Sequence, residues 1–227
     1  MNLEAKTIEG IYAGPVAQKY DMSMGHFFAR LKEKAFKKST LSTGDHVLVF
    51  CCGTGLDFPH ILRRTGSEGK ITGVDFSGEM LKRAAKKISR NKWSNIELVH
   101  ADVTRFKNKL DQKADAGVCT LGMSIIPEFR KAYNNLLSNV RDGGEIIIGD
   151  MQLASGWQAR LNPLMISMAK RYGGTLEGHQ NSLELFSMMN KSLNDVKKEE
   201  YFFKAYYFSI GKKRKIPTTK NTLKFLT

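Results

Sequence analysis

Two adjacent thiols and two glycines close an apolar run in HVLVFCCGTGLDFPHI, residues 46–61. Cys51 and Cys52 raise the question of metal or redox chemistry. A structural zinc site built on cysteine takes about four ligands, usually from paired C-x-x-C or C-x-x-C plus histidine elements. This chain has only Cys51, Cys52 and Cys119, and no C-x-x-C. Neighbours on a strand point to opposite faces, so Cys51 and Cys52 do not share a ligand position easily. The expectation is small buried thiols with no metal and no disulfide. Gly53 and Gly55 support different chemistry. A buried strand, a glycine turn and a helix start let a ligand approach the backbone, with helix N–H groups aimed at it. Twenty residues beyond Gly55, Asp75 ends the strand expected within KITGVDF. A nucleotide-binding sheet places a carboxylate there to accept hydrogen bonds from ribose hydroxyls. Helix capping is the other reading of Asp75, although Ser77 fills that role as well.

The elements that must position these residues alternate in type. HVLVFCC, KITGVDF, NIELVHAD, ADAGVCTLG and GEIIIGDM read as strands. Between them, Met80, Leu81, Ala84, Ala85 and Ile88 share one helical face. Phe129, Ala132, Tyr133, Leu136, Leu137 and Val140 share another, with Gly143 and Gly144 expected to stop that helix. Strand and helix in repeated alternation give an α/β, doubly wound, mostly parallel sheet with right-handed crossovers. DMSMGHFFARLKEKAFKK reads as an amphipathic helix ahead of the first strand. The expected layout is one domain over 1–211, with N-terminal cap helices in 1–44, a lid insertion at 156–193 and two aromatic-rich strands in EEYFFKAYYFSIG. A basic tail follows at 212–227.

Composition narrows the function classes. With 227 residues and 41% hydrophobic content, the chain suits one sizeable globular domain. No apolar run is long enough to span a bilayer, and the first residues, MNLEAKTIEG, lack the apolar core of a secretion signal. A cytoplasmic protein is expected, with peripheral membrane contact left open. The formal net charge is +14. Seven cations and no acid follow Glu200, and a second basic cluster, LKRAAKKISRNK, lies at 81–92. Such charge favours anionic partners, while a solvated helix face and a frayed end account for it equally simply.

The dinucleotide fingerprint G-x-G-x-x-G fails at its third glycine, where Phe58 stands, which weakens a diphosphate reading. VLVFCCGTGLDF, GVDFSGEML and ELVHADVTRF instead resemble the class I S-adenosylmethionine-dependent methyltransferases. Upstream, VAQKYDMSMGHFFARLKEKAF is similar to the quinone-biosynthesis C-methyltransferase and phospholipid N-methyltransferase group. The resemblance covers roughly residues 12 to 150 and implies a seven-stranded Rossmann-like sheet and S-adenosyl-L-methionine as cofactor. It further implies that Cys51, Cys52, Gly53 and Gly55 line the methionine part, and that Asp75 holds the ribose. Phe76 and Met80 lie near the adenine, Asp102 faces its amino group, and Val103 sits beside Asp102. Thr120 and Leu121 border the sulfonium, and Tyr20 and Tyr12 cover the cofactor. The chain departs from the family at Val49, where an acidic residue usually braces the loop. Asp57 is the carboxylate available to replace it.

Methyl transfer from a sulfonium needs orientation and a dry cavity, and a base only when the acceptor must lose a proton. His26, His60, His100 and His179 are candidates for that base, with His26 favoured and Tyr20 beside it. The fourth strand continues CTLGMSIIPEF, which lacks the Asp/Asn-Pro-Pro-aromatic pattern of amino methylation on bases. No specific nucleic acid is therefore expected as substrate. A small or lipid-like acceptor, such as a quinone precursor or an amino-lipid head group, is expected instead. The alternatives are an RNA methyltransferase and a cofactor-binding domain without catalysis.

Overall fold

The computed structural model describes residues 10, 12, 21, 25–107, 112–170 and 172–215. Helix α1 (His26–Lys38) precedes β1 (His46–Phe50), which is followed by α2 (Phe58–Thr65) and β2 (Lys70–Asp75). Next come α3 (Gly78–Arg90), β3 (Ile96–His100), β4 (Ala114–Thr120), α4 (Phe129–Asn139) and β5 (Val140–Met151). A 3₁₀ segment (Gly156–Leu161) and α5 (Asn162–Lys170) lead to α6 (Leu176–Ser192), β6 (Leu193–Tyr201) and β7 (Tyr206–Lys213). The seven strands form one sheet in the order β3-β2-β1-β4-β5-β7-β6. The first five are parallel, and β7 enters antiparallel between β5 and β6.

Strand alternation divides the core into two layers. Val47 and Val49 face a cluster with Phe28 and Phe36 of α1, Phe58 and Ile61 of α2, and Leu81 and Ala84 of α3. Leu48 and Phe50 face the opposite cluster, with Tyr133 and Leu136 of α4 and Leu185 and Met189 of α6. Val49 is therefore a packed core residue. Both sides of its strand are paired, to Gly73 of β2 and Val118 of β4.

Three expectations change. Helix α4 ends at Asn139, and Val140 already begins β5, pairing with Ala114. Gly143 has φ +76° and Gly144 packs against Val140, so these glycines shape the irregular start of a strand and do not stop the helix. Helix α6, expected within the lid, packs into the core through Leu185 and Met189. The supposed tail begins within the sheet. Lys213 donates to the Val140 carbonyl at 2.8 Å, and Arg214 to the carbonyls of Leu193 and Asn190. Residues 216–227 lie outside the described residues.

One polar knot ties the first layer together. Lys32 of α1 lies 2.9 Å from Asp57 Oδ1, with both side chains 5% exposed. Thr120, at the end of β4, donates to Asp57 Oδ2 at 2.6 Å, and Lys32 Nζ donates to Thr120 at 3.0 Å. Removing one partner from a buried pair leaves the other charge uncompensated. Lys32→Met should therefore lower unfolding free energy by about 3–5 kcal/mol, while Lys32→Met with Asp57→Asn should recover most of the loss. Denaturant midpoints for the two variants and the parent check this.

Candidate cofactor and acceptor site

The site lies at the C-terminal edge of the parallel strands, where β1 has β2 on one side and β4 on the other. At such a switch point the loops diverge and leave a crevice. The loop after β1 turns back sharply. Cys51 takes φ +51°, Gly53 +53° and Gly55 +76°. The Gly55 amide donates to the Cys52 carbonyl at 2.8 Å. A side chain at Gly55 would collide with the Phe58 ring, 2.5 Å from its would-be Cβ. The same ring lies 2.9 Å from the would-be Cβ of Gly73. Phe58 thus replaces the third glycine of a dinucleotide loop by filling the space beneath it. At Gly53 the position of a Cβ is open, with nothing within 4 Å, which leaves a cradle for a ligand.

Asp75 organises this edge. Its Oδ2 accepts from the Gly53 amide at 2.7 Å and its Oδ1 from the Ser77 amide at 2.8 Å. Burial raises its pKa against the opposing pull of these N–H donors. Each carboxylate oxygen has a second acceptor site for a hydroxyl. Ser77 caps α3 by accepting from the Met80 amide, so Asp75 is not needed as the cap. The open cradle at Gly53 beside this carboxylate fits the ribose and chain of a nucleoside cofactor.

The other expected residues divide into groups. Leu121, with φ +56°, borders the edge, and its amide donates to the Gly149 carbonyl at 2.7 Å. Phe76 is half-buried at the head of α3, and its carbonyl is 2.7 Å from His100 Nε2. Met80 and Val103 are buried flanking groups. Asp102 caps its own turn, Oδ1 accepting from the Thr104 amide and hydroxyl at 2.8 and 2.7 Å. Tyr12 is buried, and its hydroxyl donates to the Tyr172 carbonyl at 2.8 Å, tying the N-terminal segment to the chain beyond α5. Tyr20 and the His26 side chain lie outside the described residues. Thr120 and Asp57 turn into the knot with Lys32, so Asp57 does not take the place of the missing acid at Val49. That bracing of the loop comes from Asp75 through the Gly53 amide.

Cys52 and Cys119 are buried thiols, whereas Cys51 is half-buried. Burial, then Asp75, pushes the Cys52 thiol well above its ordinary value. Cys119 is raised by its hydrogen bond with Cys51 and by burial. Gly122 is required where Cys51 and Cys119 converge, because a Cβ there would lie 2.9 Å from both sulfurs.

A second polar group escaped sequence reasoning. Asp150, fully buried near the end of β5, accepts from the Ser124 amide at 2.9 Å and the Ser124 hydroxyl at 2.6 Å. Burial raises its pKa, while the Ser124 donors and the nearby His179 lower it. His179, in the first turn of α6, is 1% exposed. Its Nδ1 lies 2.6 Å from the Thr175 carbonyl, and a carbonyl can only accept, so Nδ1 carries the proton. Nε2 is then a buried lone pair without a hydrogen-bond partner among the described residues. The only hint in the sequence was His179 itself. Its neighbours come from β5 and from the turn after β4, far off in the chain.

Comparison with known proteins gives the family. A methyltransferase domain model matches residues 41–211. The chain belongs to that family. It has the fold of a class I S-adenosylmethionine-dependent methyltransferase. A demethylmenaquinone methyltransferase of Alkalihalophilus pseudofirmus is 26% identical over 147 residues, 63% of this chain and 59% of that protein. A 2-phytyl-1,4-naphtoquinone methyltransferase of Nostoc sp. is 29% identical over 149 residues, 63% of this chain and 65% of that one. The matches therefore span less than two thirds of either relative. A S-adenosylmethionine-dependent methyltransferase from Aquifex aeolicus shares the fold, with a TM-score of 0.59 at 16% identity over 93% of this chain and 99% of that chain.

Asp75→Ala should weaken S-adenosylmethionine and S-adenosylhomocysteine equally, because the lost bonds go to their shared ribose. Loss of charge-assisted hydrogen bonds sets the cost at about 2–4 kcal/mol. Titration calorimetry with both ligands measures it, and unchanged affinity for either would remove Asp75 from the site.

Proposed function

We propose that this methyltransferase acts on the ring of a quinone precursor or a similar small lipid-like acceptor. The observation that carries the reading is the buried polar group of Asp150, Ser124 and His179, with its unpaired Nε2, at the same C-terminal edge of the sheet as the glycine loop. S-adenosylmethionine supplies a methyl group on a cationic sulfur, already activated for displacement. The protein's share is then orientation, exclusion of water and acceptance of the acceptor's proton. The loop at Cys51–Gly55 and Asp75 orient the donor. His179, held through its Nδ1 proton by Thr175, presents Nε2 to take a proton from a ring hydroxyl as the adjacent carbon attacks. Asp150 offsets the imidazolium charge from nearby and is itself positioned by Ser124. The similarity to the demethylmenaquinone and phytyl-naphthoquinone enzymes supports an aromatic carbon acceptor, and the absence of the Asp/Asn-Pro-Pro pattern after β4 speaks against base amines.

Incubation with isotopically labelled S-adenosylmethionine and a demethylated naphthoquinol, an amino-lipid or RNA, followed by mass spectrometry, tests the acceptor. Label is expected on the quinol ring. His179→Gln should reduce transfer on the order of 10²-fold or more, the usual contribution of a general base, with cofactor affinity and melting temperature kept. Label on RNA alone would overturn the proposal.

A lipid-like acceptor also calls for a membrane-facing surface. No helix among the described residues is long and apolar enough to cross a membrane. Trp157 and Phe203 are 68% and 61% exposed and meet edge-to-face at 6.3 Å, with Arg160 three residues after Trp157 and Lys204 next to Phe203. Aromatic groups beside cations suit the interface of an anionic bilayer. The Trp157→Ala, Phe203→Ala double variant should lose sedimentation with anionic vesicles while keeping activity on a short-chain acceptor. Equal sedimentation of parent and variant would place the contact elsewhere.

A further inference from the structure

The basic cluster at 81–92 has a structural counterpart that methyl transfer does not use. A groove of about 550 Å³ lies between α2, α3 and Asp21, lined by Pro59, Arg83, Lys86, Lys87, Arg90 and Trp93 together with Asp21. The four cations stand at i, i+3, i+4 and i+7, one stripe of a helix. At 1.5 Å rise per residue the stripe is about 10 Å long. The carboxylate in the described lining, Asp21, is already engaged by the Thr54 hydroxyl and by Lys87 at 2.8 Å. Lys86 and Arg90 have no ion-pair partner among the described residues, and the Arg83 Nε is buried without a hydrogen bond, its nearest carboxylate being Glu79 at 3.7 Å.

Fold stability alone does not account for this stripe. Cations favour the last turn of a helix, which covers Lys87 and Arg90. Arg83 and Lys86 lie earlier, and like charges at these spacings repel. Trp93 and Pro59 add an apolar, partly exposed wall to the same groove. A concave site of this volume suits a ligand of nucleotide size. Cations along one side and an indole beside them suit linked phosphates joined to a planar base.

We propose that this groove is a second ligand site, distinct from the cofactor edge, for a nucleoside di- or triphosphate. The phosphates lie along Arg83, Lys86, Lys87 and Arg90, and the base rests against Trp93. The cofactor edge is at Gly53 and Asp75, ahead of the N-terminus of α3, whereas the stripe begins at Arg83; the two meet where Asp21 accepts from Thr54.

The chain has two tryptophans, so in a Trp157→Phe background Trp93 is the sole indole reporter. Its fluorescence is titrated with adenosine triphosphate, inorganic tripolyphosphate, a short RNA and anionic vesicles, with S-adenosylhomocysteine held at saturation to block the cofactor edge. Saturable quenching by adenosine triphosphate is expected, with tripolyphosphate binding at least several-fold more weakly for want of the base. Arg83→Gln with Arg90→Gln should weaken adenosine triphosphate tenfold or more. Lys82→Gln with Lys92→Gln, which changes the charge equally but outside the lining, should weaken it less than twofold. Circular dichroism verifies that both variants keep their helix content. Equal losses in the two double variants would reduce the groove to general electrostatic attraction. Saturation only by RNA or by vesicles would overturn the nucleotide assignment in favour of those partners, and absence of any saturable signal would overturn the site.

Discussion

The buried contact among Lys32, Asp57 and Thr120 is the constraint on which the rest of this molecule depends. It joins three segments that the chain keeps far apart: the helix before the sheet, the start of the helix after the glycine loop, and the end of β4. A charge pair removed from water holds only when its geometry is good and its remaining hydrogen-bonding capacity is met. Thr120 helps to meet that condition, since it donates to the carboxylate and accepts from the ammonium. The loop from Cys51 to Gly55 is thereby anchored at its far end, while Asp75 anchors its near end through the Gly53 amide. A ligand reaching this edge meets a loop fixed from both sides.

This bracing explains how the chain manages with valine at position 49. An acid there would stand in a strand paired on both sides, inside an apolar layer. A buried carboxylate without donors costs several kcal/mol. Here loop bracing has moved to the next strand, and the first strand is left to pack. Phe58 belongs to the same arrangement. Its ring fills the floor of the loop, which forces glycine at 55 and 73. Several departures from the family pattern are thus one local solution.

On the other face of the sheet, polarity is concentrated around Asp150. Ser124 supplies it with two hydrogen bonds, and α6 brings His179 close, with Gly178 pressed against the Ser124 carbonyl. A buried lone pair at Nε2 is unfavourable for stability on its own, since buried polar atoms are nearly always paired. Its presence beside the cofactor edge is intelligible if a bound acceptor supplies the partner. Helix α6 packs through Leu185 and Met189, which sets the histidine on a rigid element and not on a mobile lid.

The sequence by itself determined the parallel core, the glycine loop and Asp75. These follow from local regularities: period-two and period-3.6 apolar patterns, residues that tolerate positive φ, and a carboxylate at a fixed distance beyond the loop. It misplaced the end of α4, because Val140 continues a helical apolar face and only the pairing with Ala114 makes it a strand residue. It grouped α6 with the lid, because the apolar face of a helix reads the same over a pocket as over a sheet. It gave no sign that Thr120 and Asp57, offered to the cofactor and to the loop, both meet Lys32. Asp150, Ser124 and His179 could not be grouped at all, since they come together only when β5 and α6 pack. Local chemistry is written in neighbouring residues, whereas the partner of a buried charge is chosen by which elements the fold presses together.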